Sequence, residues 1–197
     1  PRFSRQQWHD LIVPANGSYQ ITLMPYLMEL PLFHEDAPLS LKYAGLGFQI
    51  ATALASMLFS TEGFGGDKIH SDRFFSRARC LEANRSRGFG DGYRQLLQII
   101  SLKTSWTAVT LARDTPNSVP QSTLSGFTDP QAFFVMWCYM ECGTPMAQQF
   151  CNELLRLSPE FARAFSCSKG DPMVACLACS LPGEKSYDLG RSDLCTT

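Results

Sequence analysis

The stretch from Leu39 to Phe59 constrains this chain most: it is rich in Ala, Leu and Met, carries Lys42 as its one charged residue, and contains no Pro. It is too long for a strand and reads as a helix by length and composition. Apolar residues surround its axis, which predicts a buried helix that other elements must enclose. It is not a membrane span. Residues 43–59 come closest to the ~20 uninterrupted apolar residues a span needs, yet Gln49, Thr52 and Ser56 interrupt them.

Around this helix the sequence predicts a mainly α chain with a short β element. Tyr19 to Met24 favours a strand, and Pro25 and Pro31 bound an extended segment after it. Gly63, Gly65 and Gly66 break the long helix, and Ser71 to Ala83 resumes helical character. Tyr93 to Leu111 reads as another helix, with Leu96, Leu97, Ile100 and Lys103 at helical intervals. Residues 114–130 are Pro-, Ser- and Thr-rich and read as a loop. Asp129 as N-cap and Pro130 at the first position then open a helix from Gln131 to Glu141. Ser158, Pro159 and Glu160 start a last capped helix, which Lys169-Gly170-Asp171-Pro172 ends. Residues 1–197 form a single domain without internal repeats, and residues 182–197 are a polar C-terminal tail.

With 17 basic against 18 acidic residues and no basic run, the chain has no electrostatic footprint for nucleic acid or an anionic membrane. A protein or a small ligand is the expected partner. Eight cysteines, clustered late, point to disulfides and an oxidising compartment, hence a secreted or extracellular protein. The disulfide candidates are Cys80, Cys138, Cys142, Cys151, Cys167, Cys176, Cys179 and Cys195. Cys176 and Cys179 form a CxxC pair, but the other cysteines supply no second pair at zinc-knuckle spacing. The N-terminus has neither an initiator Met nor the shape of a signal peptide, so a processed or trimmed chain is expected.

Four segments, taken in order, resemble the neprilysin and endothelin-converting-enzyme family of zinc metallopeptidases. They are Ile21-Thr22-Leu23-Met24-Pro25 to Pro31-Leu32-Phe33; Leu41-Lys42-Tyr43-Ala44-Gly45-Leu46-Gly47-Phe48-Gln49-Ile50; Phe133-Phe134-Val135-Met136-Trp137-Cys138; and Ser158 to Cys167, with Gly170-Asp171-Pro172-Met173 after it. The resemblance runs from about residue 8 to about residue 179 and implies a thermolysin-like catalytic lobe of the neprilysin type.

The same comparison implies that the chemistry is gone. In the family the second segment leads into HExxH, whose two histidines bind zinc and whose glutamate activates the bound water. Continuing the register from Ile50 puts Thr52, Ala53 and Ser56 at those positions, and no His, Asp or Glu lies between Asp36 and Glu62. The third ligand comes from a downstream ExxxD, but Gly92 to Arg113 contains no carboxylate. The substrate-gripping strand should fall near Val13, where the chain has Pro14-Ala15-Asn16-Gly17. The family's histidine and arginine before the last segment are replaced by Phe150-Cys151-Asn152.

Family members are longer, with an upstream helical lobe that closes the active-site chamber, so the resemblance implies an incomplete lobe here. It also implies pairing of Cys80 with Cys176. Cys138 and Cys167, whose counterparts bond to the upstream part, would pair with Cys142, Cys151, Cys179 or Cys195, or with another chain.

Other features have plainer readings. His9, His34 and His70 share no motif and read as surface or hydrogen-bonded histidines rather than metal ligands. Gly63-Phe64-Gly65-Gly66-Asp67 lacks the Lys-Ser/Thr of a phosphate loop. Ser56 and Ser60 have no base near them in sequence, and a helical serine ordinarily bonds to its preceding turn. Trp106, Trp137 and Phe133-Phe134 could line a pocket, but their helical spacing suits a core.

The sequence thus predicts a zinc-free pseudopeptidase without a cofactor, acting as a binding, scaffolding or assembly subunit held by another polypeptide, either the remainder of a processed precursor or a neighbouring subunit. Two alternatives stand beside it: a secreted pseudoenzyme that binds a peptide or small ligand in the vestigial cleft, and a peptidase completed by another chain.

Overall fold

A computed structural model describes residues 23, 25–59, 68–83, 92–114, 126–143 and 147–175. They form seven α-helices: α1 (Leu39–Lys42), α2 (Phe48–Leu58), α3 (Lys68–Ala83), α4 (Gly92–Arg113), α5 (Asp129–Met140), α6 (Ala147–Leu155) and α7 (Pro159–Ala164). A 3-10 turn covers Pro25–Met28, and no strand occurs among the described residues. The expected strand falls on residues 19–24, of which only Leu23 is described. The extended segment expected after it is instead helical at its start. Pro25 opens the 3-10 turn, where its fixed φ suits the first helical position.

The long apolar helix is interrupted. A π-helical turn at Tyr43–Gly47 joins α1 to α2. Such a turn spaces backbone partners one residue further apart, and here one carbonyl and one amide of the turn find partners outside the helix. The Ser105 hydroxyl of α4 donates to the Tyr43 carbonyl at 2.5 Å, and the Leu46 N–H donates to the Leu32 carbonyl at 3.0 Å. Gly45 permits the second contact, because a Cβ there would overlap the Leu32 carbonyl oxygen. The expectation of a helix buried all round also needs correcting: Leu54 and Leu58 are exposed. α2 is covered on one side by α4 and on another by the Leu27, Leu32 and Leu46 cluster, against which Ile50 and Ala53 pack.

α2 and α4 run antiparallel. Tyr43, just before α2, meets Ser105; Ala55 packs with Leu96 and Leu97; and the Tyr93 hydroxyl, at the start of α4, donates to the Phe59 carbonyl at 3.4 Å. α3 covers the other flank of α4, with Phe74, Ala78 and Leu81 in the same cluster as Ala55. Beyond Ser101 the opposite end of α4 meets α5, α6 and α7 in the largest cluster, built on Phe48, Leu102, Val109, Phe133, Phe134 and Trp137. The aromatic residues read as core from their spacing are core: Phe133 and Trp137 are fully buried. Trp106 stacks on Phe134 at 5.1 Å and meets Phe133 edge-on at 5.2 Å.

Caps fix where the later helices begin. The N-cap of α5 is Thr128, not Asp129. Thr128 Oγ1 accepts the Gln131 N–H at 3.4 Å, and Gln131 Oε1 accepts the Thr128 N–H at 3.0 Å, closing a capping box. Asp129, thereby moved into the first turn, takes an ion pair from Arg113 at 2.5 Å. α7 starts where the sequence places it: Ser158 Oγ accepts the Phe161 N–H at 3.1 Å, with Pro159 at the first helical position. It ends at Ala164, short of the expected stop at Lys169, and Ser166 takes a left-handed φ of 55° just beyond.

Gly92 sets how closely α3 and α4 approach, since a Cβ there would overlap the Ala78 carbonyl oxygen. In an ordinary helix Gly→Ala stabilises by about 1 kcal/mol; forcing backbone apart in a packed interface costs about 1–3 kcal/mol. Denaturant unfolding of Gly92→Ala is therefore expected to show net destabilisation, and a gain in stability would contradict this packing.

Candidate functional site

The positions the sequence singles out on α2 lie on two sides of the helix. Thr52 is buried on the side of Phe48 and Ala55, the side turned to α4, and Ser56 stands one turn further along. Ala53 packs with Leu27, Leu32 and Leu46 on the other side. Both hydroxyls are engaged within the helix: Thr52 Oγ1 donates to the Phe48 carbonyl at 2.9 Å and Ser56 Oγ to the Thr52 carbonyl at 2.8 Å. This is the back-bonding expected of hydroxyl residues on a helix. Ser60 lies outside the described residues.

On α4 the same pattern recurs. Ser101 is fully buried and its hydroxyl donates to the Leu97 carbonyl at 2.7 Å. Ser105, one turn on, holds the π turn. The α2–α4 seam is therefore lined by small residues, among them Gly47, Ala51, Thr52, Ser101 and Ser105, which let the two backbones come close. Gln98 is 6% exposed, and its Oε1 has no hydrogen-bond partner. An unmatched buried acceptor of this kind costs about 1–3 kcal/mol, so α4 carries a polar atom that packing has not satisfied.

Among the described residues no group of three or more His, Cys, Asp or Glu side chains converges as a metal site would require. His34 accepts the Asp36 N–H on Nδ1 at 3.2 Å, a hydrogen-bonded surface histidine as expected. His9 lies outside the described residues, and nothing of the His70 side chain is described. Phe150, Cys151 and Asn152 sit on α6. Phe150 stacks on Trp137 at 6.2 Å, and Cys151 is bonded to Cys138. Pro14 to Gly17 and Gly63 to Asp67 lie outside the described residues.

The described cysteines divide between bridges and free thiols. Cys138–Cys151 ties α5 to α6 with a Cα–Cα distance of 5.5 Å, one of the pairings the sequence left open. Cys80 is also disulfide-bonded; its expected partner Cys176, like Cys179 and Cys195, lies outside the described residues. Cys142 and Cys167 carry free thiols, although both were disulfide candidates. Cys167 follows α7 and packs against the main cluster. Burial pushes its thiol pKa up, and the nearby Asp171 carboxylate acts in the same direction, so it stays protonated at neutral pH. Cys142 is exposed at the end of α5.

A cavity of about 20 Å³, the size of one water, lies where Ile99, Lys103 and Trp106 of α4 face Phe134 and Leu154. A shallow depression of about 410 Å³ is lined by Gln148, Asn152 and Arg156 of α6 with Met173. No described helix is long and apolar enough to cross a membrane. α6 had no counterpart in the sequence reading, although Phe150, Leu154 and Leu155 recur at helical spacing and could have revealed it.

If the Thr52 and Ser56 hydroxyls serve only their own helix, Thr52→Val with Ser56→Ala should change the unfolding free energy by less than about 1 kcal/mol. Ser105→Ala, which removes the bond between elements, should cost about 1–2 kcal/mol. Chemical denaturation of the two variants checks this; a larger loss in the double variant would mean its hydroxyls reach beyond α2.

In comparisons with known proteins, no protein-family model and no curated protein matches the chain.

Proposed function

We propose that this chain is a catalytically inactive, neprilysin-like pseudopeptidase that serves as a protein-binding or assembly subunit. The observation that carries the reading is the chemistry of the α2–α4 seam. The two helices that would bear the ligands pack together directly, with Thr52, Ser56 and Ser101 each donating to a carbonyl of its own helix. None of these three side chains offers the imidazole or carboxylate donors of a catalytic zinc site. The support comes from the sequence resemblance together with this closed seam, so it is an argument from likeness to a family and from missing donors.

A secreted setting suits the two cysteines of the α5–α6 bridge and the bonded Cys80, because such bonds persist in oxidising compartments. A partner that covers surface suits the apolar side chains Leu54 and Leu58, exposed one turn apart on α2, and Leu111 on α4. The partner is a second polypeptide in the place of the family's upstream lobe.

Metal analysis of the purified protein is expected to give no stoichiometric zinc. Thr52→His, Ala53→Glu and Ser56→His together should produce no chelator-sensitive peptide hydrolysis, since α4 still lacks its carboxylates and groups that act as a unit do not add. About one zinc per chain bound within residues 43–113, or hydrolysis by the triple variant, would refute the reading. Light scattering on native material should show a complex larger than the 22.0 kDa chain; a stable monomer that buries less than ~1,000 Å² against any neighbour would favour a free-standing ligand binder instead.

A further inference from the structure

The depression between α6 and the segment after α7 has two fixed walls. α6 is held from behind by Leu154 and Leu155, both buried in the main cluster, and by the bond from Cys151 to Cys138. Opposite it Met173 packs against the same cluster. The Ala175 N–H donates to the Arg156 carbonyl at 2.7 Å, which ties this second wall to the end of α6. The space between them, about 410 Å³, falls within the roughly 300–1,000 Å³ of small-molecule sites.

Its lining holds a charge pair that the fold leaves incompletely satisfied. Gln148, Asn152 and Arg156 stand in one row along α6 and the turn that ends it, with Glu153 in the neighbouring row. The Arg156 side chain is 40% exposed, yet its Nε is enclosed and has no hydrogen-bond partner. Glu153 Oε1 lies 3.9 Å from Arg156 Nη1, an ion pair too long to be a hydrogen bond. The guanidinium can therefore still take a planar carboxylate on its outer edge, and the Glu153 carboxylate can still accept from an ammonium. Because the two charges are neighbours, a ligand meets both only if its own opposite charges are neighbours too. A phosphate would be repelled by Glu153, and an amine without an acid group would be repelled by Arg156.

We infer that this depression binds a free α-amino acid, with its carboxylate on Arg156, its ammonium on Glu153 and an apolar side chain along Pro172 and Met173. The amides of Gln148 and Asn152 continue the polar wall beside the charged end. The site uses no residue of the α2–α4 seam and does not rest on the pseudopeptidase reading.

The test uses the intact, isotope-labelled chain at neutral pH, followed by NMR through the side-chain amides of Gln148, Gln149 and Asn152. L-Leucine is titrated beside L-leucinamide, which lacks the carboxylate, and N-acetyl-L-leucine, which lacks the ammonium. Leucine is expected to shift these amides to saturation, and each derivative to bind at least about tenfold more weakly, the loss of one charge-assisted hydrogen bond. Arg156→Gln should abolish the difference between leucine and leucinamide, and Glu153→Gln that between leucine and N-acetyl-leucine. No saturable shift with leucine, or equal binding of leucinamide, would overturn the inference. So would folded variants that still discriminate among the three probes as the native chain does; should a variant not fold, the three titrations of the native chain decide.

Discussion

The antiparallel contact of α2 with α4 is the constraint on which the remaining packing depends. Each of the three clusters borrows from one of these helices or from the π turn before them: Phe48 and Leu102 in the largest, Ala55 with Leu96 and Leu97 in the second, Leu46 in the third. The contact is close because its faces are small, and small faces bury little apolar area per residue. Its position therefore rests heavily on directed bonds, of which Ser105 to the Tyr43 carbonyl is the one that crosses between the helices near the π turn. Rewinding the π turn to regular α geometry would rotate everything after Gly47 relative to α1, and with it the side of α2 that meets α4.

Much of this was legible in the residues. Helical spacing located α4, Asp129-Pro130 marked the neighbourhood of the α5 start, Ser158-Pro159-Glu160 marked the start of α7, and the aromatic residues near 133 declared a core. What stayed hidden was whatever depends on contact between distant segments. Nothing in Tyr43 to Gly47 alone distinguishes a π turn from an α turn; the difference is made by the Leu32 carbonyl and the Ser105 hydroxyl, both far away in sequence. The one-residue shift of the α5 cap from Asp129 to Thr128 has a similar cause. Both residues are good caps, and Gln131 and Arg113 decide between them, the first by closing the box and the second by claiming the aspartate.

The candidate site was legible only as an absence. The sequence indicates that α2 and α4 carry no His, Asp or Glu; it does not indicate what their hydroxyls bond to. In the fold, the hydroxyls of Thr52, Ser56 and Ser101 are satisfied by carbonyls of their own helices, and that of Ser105 crosses to the π turn. The Gln98 oxygen of α4 is a buried acceptor that such self-satisfaction leaves over. The cysteines were legible as candidates but not as pairs, since spacing alone does not determine which two thiols a fold brings within bonding distance.

The Arg113–Asp129 ion pair has a further consequence for how the two helices are joined. It joins the last residue of α4 to the first of α5, and the Arg113 guanidinium also lies over the Trp106 ring at 5.8 Å. The connection between the two helices is thereby clasped at its root, as a purse is by its string. One guanidinium thus serves two elements at once, so Arg113→Ala would part the first turn of α5 from the last of α4 and bare the face of Trp106 in a single step.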